Sequence, residues 1–348
     1  MKKNLTVTVP VYNTPLDILK RSLDSVDNNH VEVILLDDGS VKEVANFIDY
    51  YTKGKGNFQV YHQKNVGAAM ARKTALQYVD TEYFTFVDCD DISHLDKMLK
   101  LLDKMMYYNI KVGNGRTKCF LPDSSLGMAG KFWKKEIVDF KEDKAALNYT
   151  TCPFWDKVYH RDLIPILSRE STHTQYHDME VVYPALIHAG SMVHTNDIVY
   201  EYRMRKESSC VTELNSKSSL SVRKLLESYF FMVDLLKEYD YYNDYREEID
   251  SIIIKLLYHR VSSIISNKEI VNKSDIVSIM LAIIDSVVGD YSQNKYYKKH
   301  FADAELNDLI FFLKSKLYIF FKGIQPEKNI IGTEELLNEY DRRMILKR

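Results

Sequence analysis

Residues 5 to 87 alternate strand and helix periods without a break, and a layered α/β sheet is the architecture that uses such an alternation. Leu5-Thr6-Val7-Thr8-Val9 has strand character, 15–27 has helical spacing, and Val31-Glu32-Val33-Ile34-Leu35-Leu36 is a second strand. A helix over 41–51, a short strand at Phe58-Gln59-Val60-Tyr61, a helix over 67–78 and a strand at Tyr83-Phe84-Thr85-Phe86-Val87 follow. The pattern predicts a doubly wound, mostly parallel sheet with flanking helices, whose ligands sit beyond the carboxyl ends of the strands. A further helix is expected over 96–108, whereas 110–201 carries no clean period.

From about residue 215 the character changes, and apolar residues recur at spacings of three and four. Leu225, Tyr229, Met232 and Leu236 form one such row; Ile249, Ile253, Leu256, Arg260 and Ile264 form a second; Ile276, Ile279, Met280, Ile283 and Val287 form a third. The expected organisation is an α/β domain over 1–214 and an α-helical C-terminal domain over 215–348, suited to oligomerisation or acceptor binding. The boundary falls in Glu213-Leu214-Asn215-Ser216-Lys217-Ser218-Ser219. A length of 348 residues with 45% apolar content suits two well-packed domains.

Charges nearly cancel, 47 basic against 49 acidic, so no overall field recruits nucleic acid or an anionic membrane. Charged ligands must then be bound locally. Cys89, Cys119, Cys152 and Cys210 lack the spacing of a zinc site or a disulfide framework, which fits a reducing cytoplasm. The N-terminus shows no apolar core of a secretory signal. The stretch 309–321 is interrupted by Lys314 and Lys316, which argues against a membrane span. It leaves open peripheral contact at the inner face of a membrane, beside the alternative of a helix in a soluble bundle.

Chemistry concentrates in Asp88-Cys89-Asp90-Asp91, directly after the strand at 83–87. Carboxylates so close repel one another, and such a cluster at a strand end commonly holds a hard cation, Mg²⁺ or Mn²⁺, shared with a substrate phosphate. A solvated acidic turn is the alternative. Val9-Pro10-Val11-Tyr12-Asn13 and Leu36-Asp37-Asp38-Gly39-Ser40 end the first two strands, so three polar strand ends converge on one edge. There Asp38 could accept from a base or ribose group and Gly39 lets a backbone approach, unless the turn is merely a helix cap.

These two motifs, Asn65-Val66-Gly67 with Ala71-Arg72, and Phe86-Val87-Asp88-Cys89-Asp90-Asp91 resemble, in order and spacing, the family 2 glycosyltransferases of GT-A fold. The similarity covers roughly residues 3 to 210. It implies a nucleotide-sugar donor, most often a UDP-sugar, with the base near Pro10, Tyr12 and Asp38 and the ribose facing Asp88. Asn65, Gly67 and Arg72 belong to the donor side, although Arg72 could equally form a surface salt bridge. Asp90 or Asp91 would hold the Mn²⁺ or Mg²⁺ that bridges the phosphates. Phe154-Trp155-Asp156-Lys157-Val158-Tyr159 looks like the acceptor-side segment.

Within Gln175-Tyr176-His177-Asp178-Met179-Glu180, Asp178 inherits the role of general base, and His177 stands where relatives commonly carry a Glu. Arg203 and Arg205, alternating along a strand, resemble the basic segment that covers the donor diphosphate, with an exposed basic edge as the alternative. The reading is an inverting transferase that moves a hexose or N-acetylhexosamine from a UDP-sugar to a hydroxyl of a glycan, glycoprotein or lipid-linked acceptor. A non-catalytic nucleotide-binding assembly protein is disfavoured by the intact Asp90, Asp91 and Asp178. A nucleotidyltransferase is disfavoured because Pro10-Val11-Tyr12-Asn13-Thr14 is not a glycine-rich phosphate loop.

Overall fold

The computed structural model describes residues 3–120, 126–129, 134–169, 176–203, 220–266 and 294–296. Arg205, the 213–219 boundary, the helical row at 276–287 and the stretch at 309–321 lie outside them.

The alternation read from the sequence is present almost residue for residue. It runs β1 (Leu5–Val11), α1 (Leu16–Val26), β2 (Glu32–Asp37), α2 (Lys42–Thr52), β3 (Phe58–His62), α3 (Ala68–Leu76) and β4 (Tyr83–Phe86). A two-residue β5 (Ile92–Ser93) and α4 (Leu95–Tyr108) follow. The segment without a clean period then supplies β6 (Val112–Phe120), β7 (Leu126–Ala129), β8 (Ile137–Asp139), β9 (Lys157–His160), α5 (Ile164–Leu167), α6 (His177–Ala189) and β10 (Ser191–Arg203).

All ten strands form one sheet, with the path β3-β2-β1-β4-β9-β6-β10-β5, β7 beside β6 and β8 beside β10. Pairings β1–β2, β1–β4, β2–β3 and β6–β10 are parallel, and β9 is antiparallel to both β4 and β6. Following the path, β3, β2, β1, β4, β6 and β10 therefore point the same way, and their carboxyl ends share one edge. Leu19, Leu23 and Val26 of α1 and Met98, Leu101 and Met105 of α4 join Val7, Val9, Val33 and Leu35 in one buried cluster. Each such side chain contributes about 1.5–3 kcal/mol on full burial.

Pro10 sits within β1, a central strand, where a missing N–H usually breaks a ladder. Here β4 makes its last bond to β1 through Val87 N–H to the Thr8 carbonyl, 3.0 Å. Pro10 faces the same side as Thr8 one step further on, beyond that bond, so its missing donor interrupts nothing.

By contact the chain divides into Met1–Ser208 with Ser228–Tyr241, and Ser209–Glu227 with Tyr242–Arg348. Helix α7 (Leu220–Glu238) contributes residues to both, and Tyr229, Met232, Val233 and Leu236 are buried at helical spacing. In the second unit α8 (Tyr242–Ser266) buries Tyr245, Ile249, Ile252 and Ile253. Its fully buried Glu248 accepts from the Tyr296 hydroxyl and faces the Lys295 ammonium at 3.1 Å. Among the described residues no helix is long and apolar enough to cross a membrane.

Candidate active site

Three loops leave the carboxyl ends of β1, β2 and β3, and side chains bolt them together. Asn13, in the left-handed region at φ 49°, accepts from Val41 N–H at 2.8 Å and donates its own N–H to Ser40 Oγ at 3.0 Å. Asp37 accepts from Ser40 N–H at 2.9 Å and from His62 Nδ1 at 2.7 Å. Asp38, 2% exposed, takes Gln63 Nε2 at 2.7 Å and Val66 N–H at 2.9 Å on Oδ1, and Gly67 N–H at 2.9 Å on Oδ2. Asp38 was expected to face a base or ribose; its carboxylate shapes the 63–67 loop and keeps one lone-pair site on Oδ2.

Gly39 has φ +75°, and a Cβ there would lie 2.6 Å from the backbone nitrogen of Asn65. Asn65 thus enters the site through its backbone, as the wall against which the Gly39 turn is pressed. Gly39→Ala is expected to destabilise the chain by about 1–3 kcal/mol, read from the urea midpoint, because the residue meets both a left-handed φ and a backbone clash.

Tyr12 is 52% exposed, and Val41 and Val66 are also exposed on the two neighbouring loops. Together they give the crevice an apolar lip. Val41 and Val66 carry no chemistry a motif would flag; their signal was an apolar residue placed immediately beside a polar turn.

The acidic cluster separates into different jobs. Asp91 is 1% exposed, with Oδ1 accepting from Arg203 N–H at 2.8 Å and Oδ2 from the Tyr200 hydroxyl at 3.0 Å. The Tyr200 oxygen in turn accepts from Asp88 N–H at 3.0 Å. Asp91 was read beside Asp90 as a metal ligand; both of its oxygens are engaged in bolting the cluster to β10. Burial, and next the charges of Asp88 and Asp90, push its carboxyl up to about 8. Burial first, then the Asp90 charge, pushes the Cys89 thiol up to about 12, so it offers no thiolate.

Asp88 receives Arg72 Nη2 at 2.7 Å, and Asp90 is half-buried at the same turn. Among the described residues no three His, Cys, Asp or Glu side chains surround a common ion position. Within the cluster Asp90 is the carboxylate that would hold a hard divalent cation, since carboxylate oxygens suit Mg²⁺ or Mn²⁺.

Asp178 reaches this cluster from ninety residues away in the chain. It lies in the first turn of α6, where the helix dipole favours an anion, and accepts from the backbone N–H of Phe154. Burial raises its carboxyl above the ordinary value; Arg72 and then His177 pull it back, and Asp88 pushes it further up. Arg72 therefore pairs with Asp88 on the strand side and feels the charge of Asp178 on the helix side. The surface salt bridge weighed for Arg72 is excluded, because its side chain is 16% exposed and its guanidinium lies 5.6 Å over the Phe154 ring.

The 151–157 segment is pinned from within. Lys157, fully buried, donates to Asp156, to the Pro153 carbonyl at 3.0 Å and to Thr151 Oγ1 at 3.3 Å. Trp155 is stacked between Tyr200 and Tyr202, at 4.5 and 5.5 Å between ring centroids. Arg203 ends β10 with its guanidinium 5.3 Å over the Phe120 ring and 3.6 Å from Glu201. Its backbone, rather than its side chain, joins the acidic cluster.

Comparison with known proteins agrees with this arrangement. Residues 6–161 match the family model described as glycosyl transferase family 2. EpsH of Bacillus subtilis (strain 168) is 24% identical over 273 residues, 72% of this chain and 74% of that protein. The cholesterol galactosyltransferase of Borreliella burgdorferi is 23% identical over 352 aligned positions, covering 92% of this chain and 95% of the relative. A crystal structure of S. aureus TarS shares the fold at TM-score 0.50 and 17% identity, over 84% of this chain and 55% of that one. With its motifs gathered on one sheet edge, the segment 6–161 carries the match to glycosyl transferase family 2, and the chain is a glycosyltransferase.

Proposed function

We propose that the chain transfers a hexose or N-acetylhexosamine from a UDP-sugar to a hydroxyl of a glycan, glycoprotein or lipid-linked acceptor, with inversion at the anomeric carbon. The observation that carries this reading is that Arg72, which donates to Asp88 at 2.7 Å, also acts electrostatically on Asp178, so a donor-side carboxylate and a basic carboxylate feel one guanidinium. The relative named as a cholesterol galactosyltransferase, similar along nearly the whole chain, supports a hexose donor and a hydroxyl acceptor.

In this reading the uracil lies against Tyr12 between Val41 and Val66, over the loop that Asp38 shapes and beside Pro10 and Gly67. The ribose faces Asp88. Asp90 holds Mn²⁺ or Mg²⁺, which when bound neutralises the departing diphosphate as a Lewis acid. Arg72 holds Asp88 in place and faces Asp178. Asp178 accepts the proton of the incoming hydroxyl as its oxygen attacks from the face opposite the diphosphate, so a single displacement inverts the centre. Arg203 and Arg205 remain the diphosphate-covering pair of the reading, and the helical C-terminal domain its acceptor-binding or self-associating part.

The test is a donor screen with an acceptor mixture, following UDP release with manganese present and no nucleoside triphosphate. Release that depends on both sugar nucleotide and acceptor is the expected result. No release with any UDP-sugar, under conditions where a TDP- or GDP-sugar is consumed, refutes the uridine donor.

A further inference from the structure

A buried line of three side chains runs beside Asp178, and the reaction above does not use it. Glu180, fully buried on α6, accepts the Ser228 hydroxyl of α7 on Oε1 at 2.6 Å. Its Oε2 has no hydrogen-bond partner and lies 3.5 Å from Nδ1 of His177, which is 5% exposed and likewise without a partner. A buried carboxylate held by one neutral hydroxyl is unfavourable unless a cation faces it. The basic group standing there is the His177 imidazole.

The same imidazole is tied to the site by a second contact. Its ring lies 5.5 Å from that of Phe154, whose backbone N–H is a donor to Asp178 and whose ring carries the Arg72 guanidinium. The charged and titratable groups around Asp178 are Arg72 from α3, Asp88 from the turn after β4, His177 from its own helix, and Cys152 and Tyr159 from the segment leading through β9. Arg72 is already hydrogen-bonded to Asp88. A charged His177 therefore changes the balance at Asp178 more than its distance from the strand edge suggests.

We propose that Ser228 and Glu180 hold His177 as an imidazolium, and that this imidazolium is a positioning residue that keeps the Asp178 carboxylate ionised and in place. The proposal rests on Asp178 as the base.

The experiment measures kcat and KM against pH for the full-length wild type, Glu180→Gln and the double variant His177→Gln/Glu180→Gln, with UDP binding followed by calorimetry. Both variants are expected to bind UDP as the wild type does, and to move the acid limb of kcat upward by about 0.5–1 pH unit with the donor KM unchanged. The double variant removes both buried charges together, so it reads the effect even if Glu180→Gln folds poorly, and it should match the single rather than add to it. An acid limb left unmoved, including a uniform drop at every pH, overturns the proposal. Full transfer by Asp178→Ala would instead overturn the assignment of the base, which separates the two failures.

Discussion

Asp178→Ala is expected to keep UDP binding within about twofold while sugar transfer falls about 10³-fold, the loss that follows removal of a positioned general base. The separation arises because Asp178 enters the site from α6, whereas the donor is bound by loops from β1 to β4. Calorimetry with UDP and single-turnover transfer measure the two halves. The pH dependence has a fixed sign. Burial raises the Asp178 carboxyl in the folded protein, and a base must be ionised to accept a proton. Transfer should therefore fail, as pH is lowered, at a value above the ordinary carboxylate range. Arg72→Ala removes the largest opposing influence and should move that limb higher still. Transfer by Asp178→Ala at the wild-type rate would remove this carboxylate from the mechanism.

Asp90→Ala is expected to weaken manganese-dependent UDP binding about 100-fold or more, since in the proposed reading this carboxylate would hold the cation. Asp91→Ala separates two readings of the acidic cluster. It strands the Tyr200 hydroxyl and the Arg203 N–H, so it should lower stability by about 2–4 kcal/mol. UDP affinity of the folded fraction should be largely retained. Urea unfolding and calorimetry with and without manganese check both variants. The opposite pattern, loss of metal dependence at Asp91 with little effect at Asp90, would exchange their roles.

The sequence reading was strongest where local pattern and global fold agree. Every element from β1 to α4 except the two-residue β5 was legible within a residue or two, because one face of each is apolar at its own period and polar turns punctuate them. Legibility ended at β6. That strand contains Gly113 and Gly115, where a side chain would collide with Met105 and with Val199, so its sequence follows packing rather than strand preference. Strand β9 opens with Lys157, a charged residue at a buried position that its pairing with Asp156 and its bonds to Pro153 and Thr151 make tolerable.

The site was legible by position and not by role. Asp90 and Asp91 are equivalent in the string of letters; their difference lies in Tyr200 and Arg203, more than a hundred residues away. Asp38 stood in the expected turn, but two of its three partners are backbone N–H groups, which no side-chain pattern encodes. Glu180 had a local signal, three residues after His177 on one helix face, and lacked meaning until Ser228 supplied the other half of its environment.

Strand β10 lies between β6 and β5, and its last residue clasps Asp91. The recognisable signature of the family stops at 161, so it describes less than a foldable piece. A fragment trimmed there would lose a sheet strand, the helix bearing Asp178 and the clasp at once. The shortest fragment worth expressing runs past Tyr241, because Ser228 and the buried turns of α7 complete the same unit.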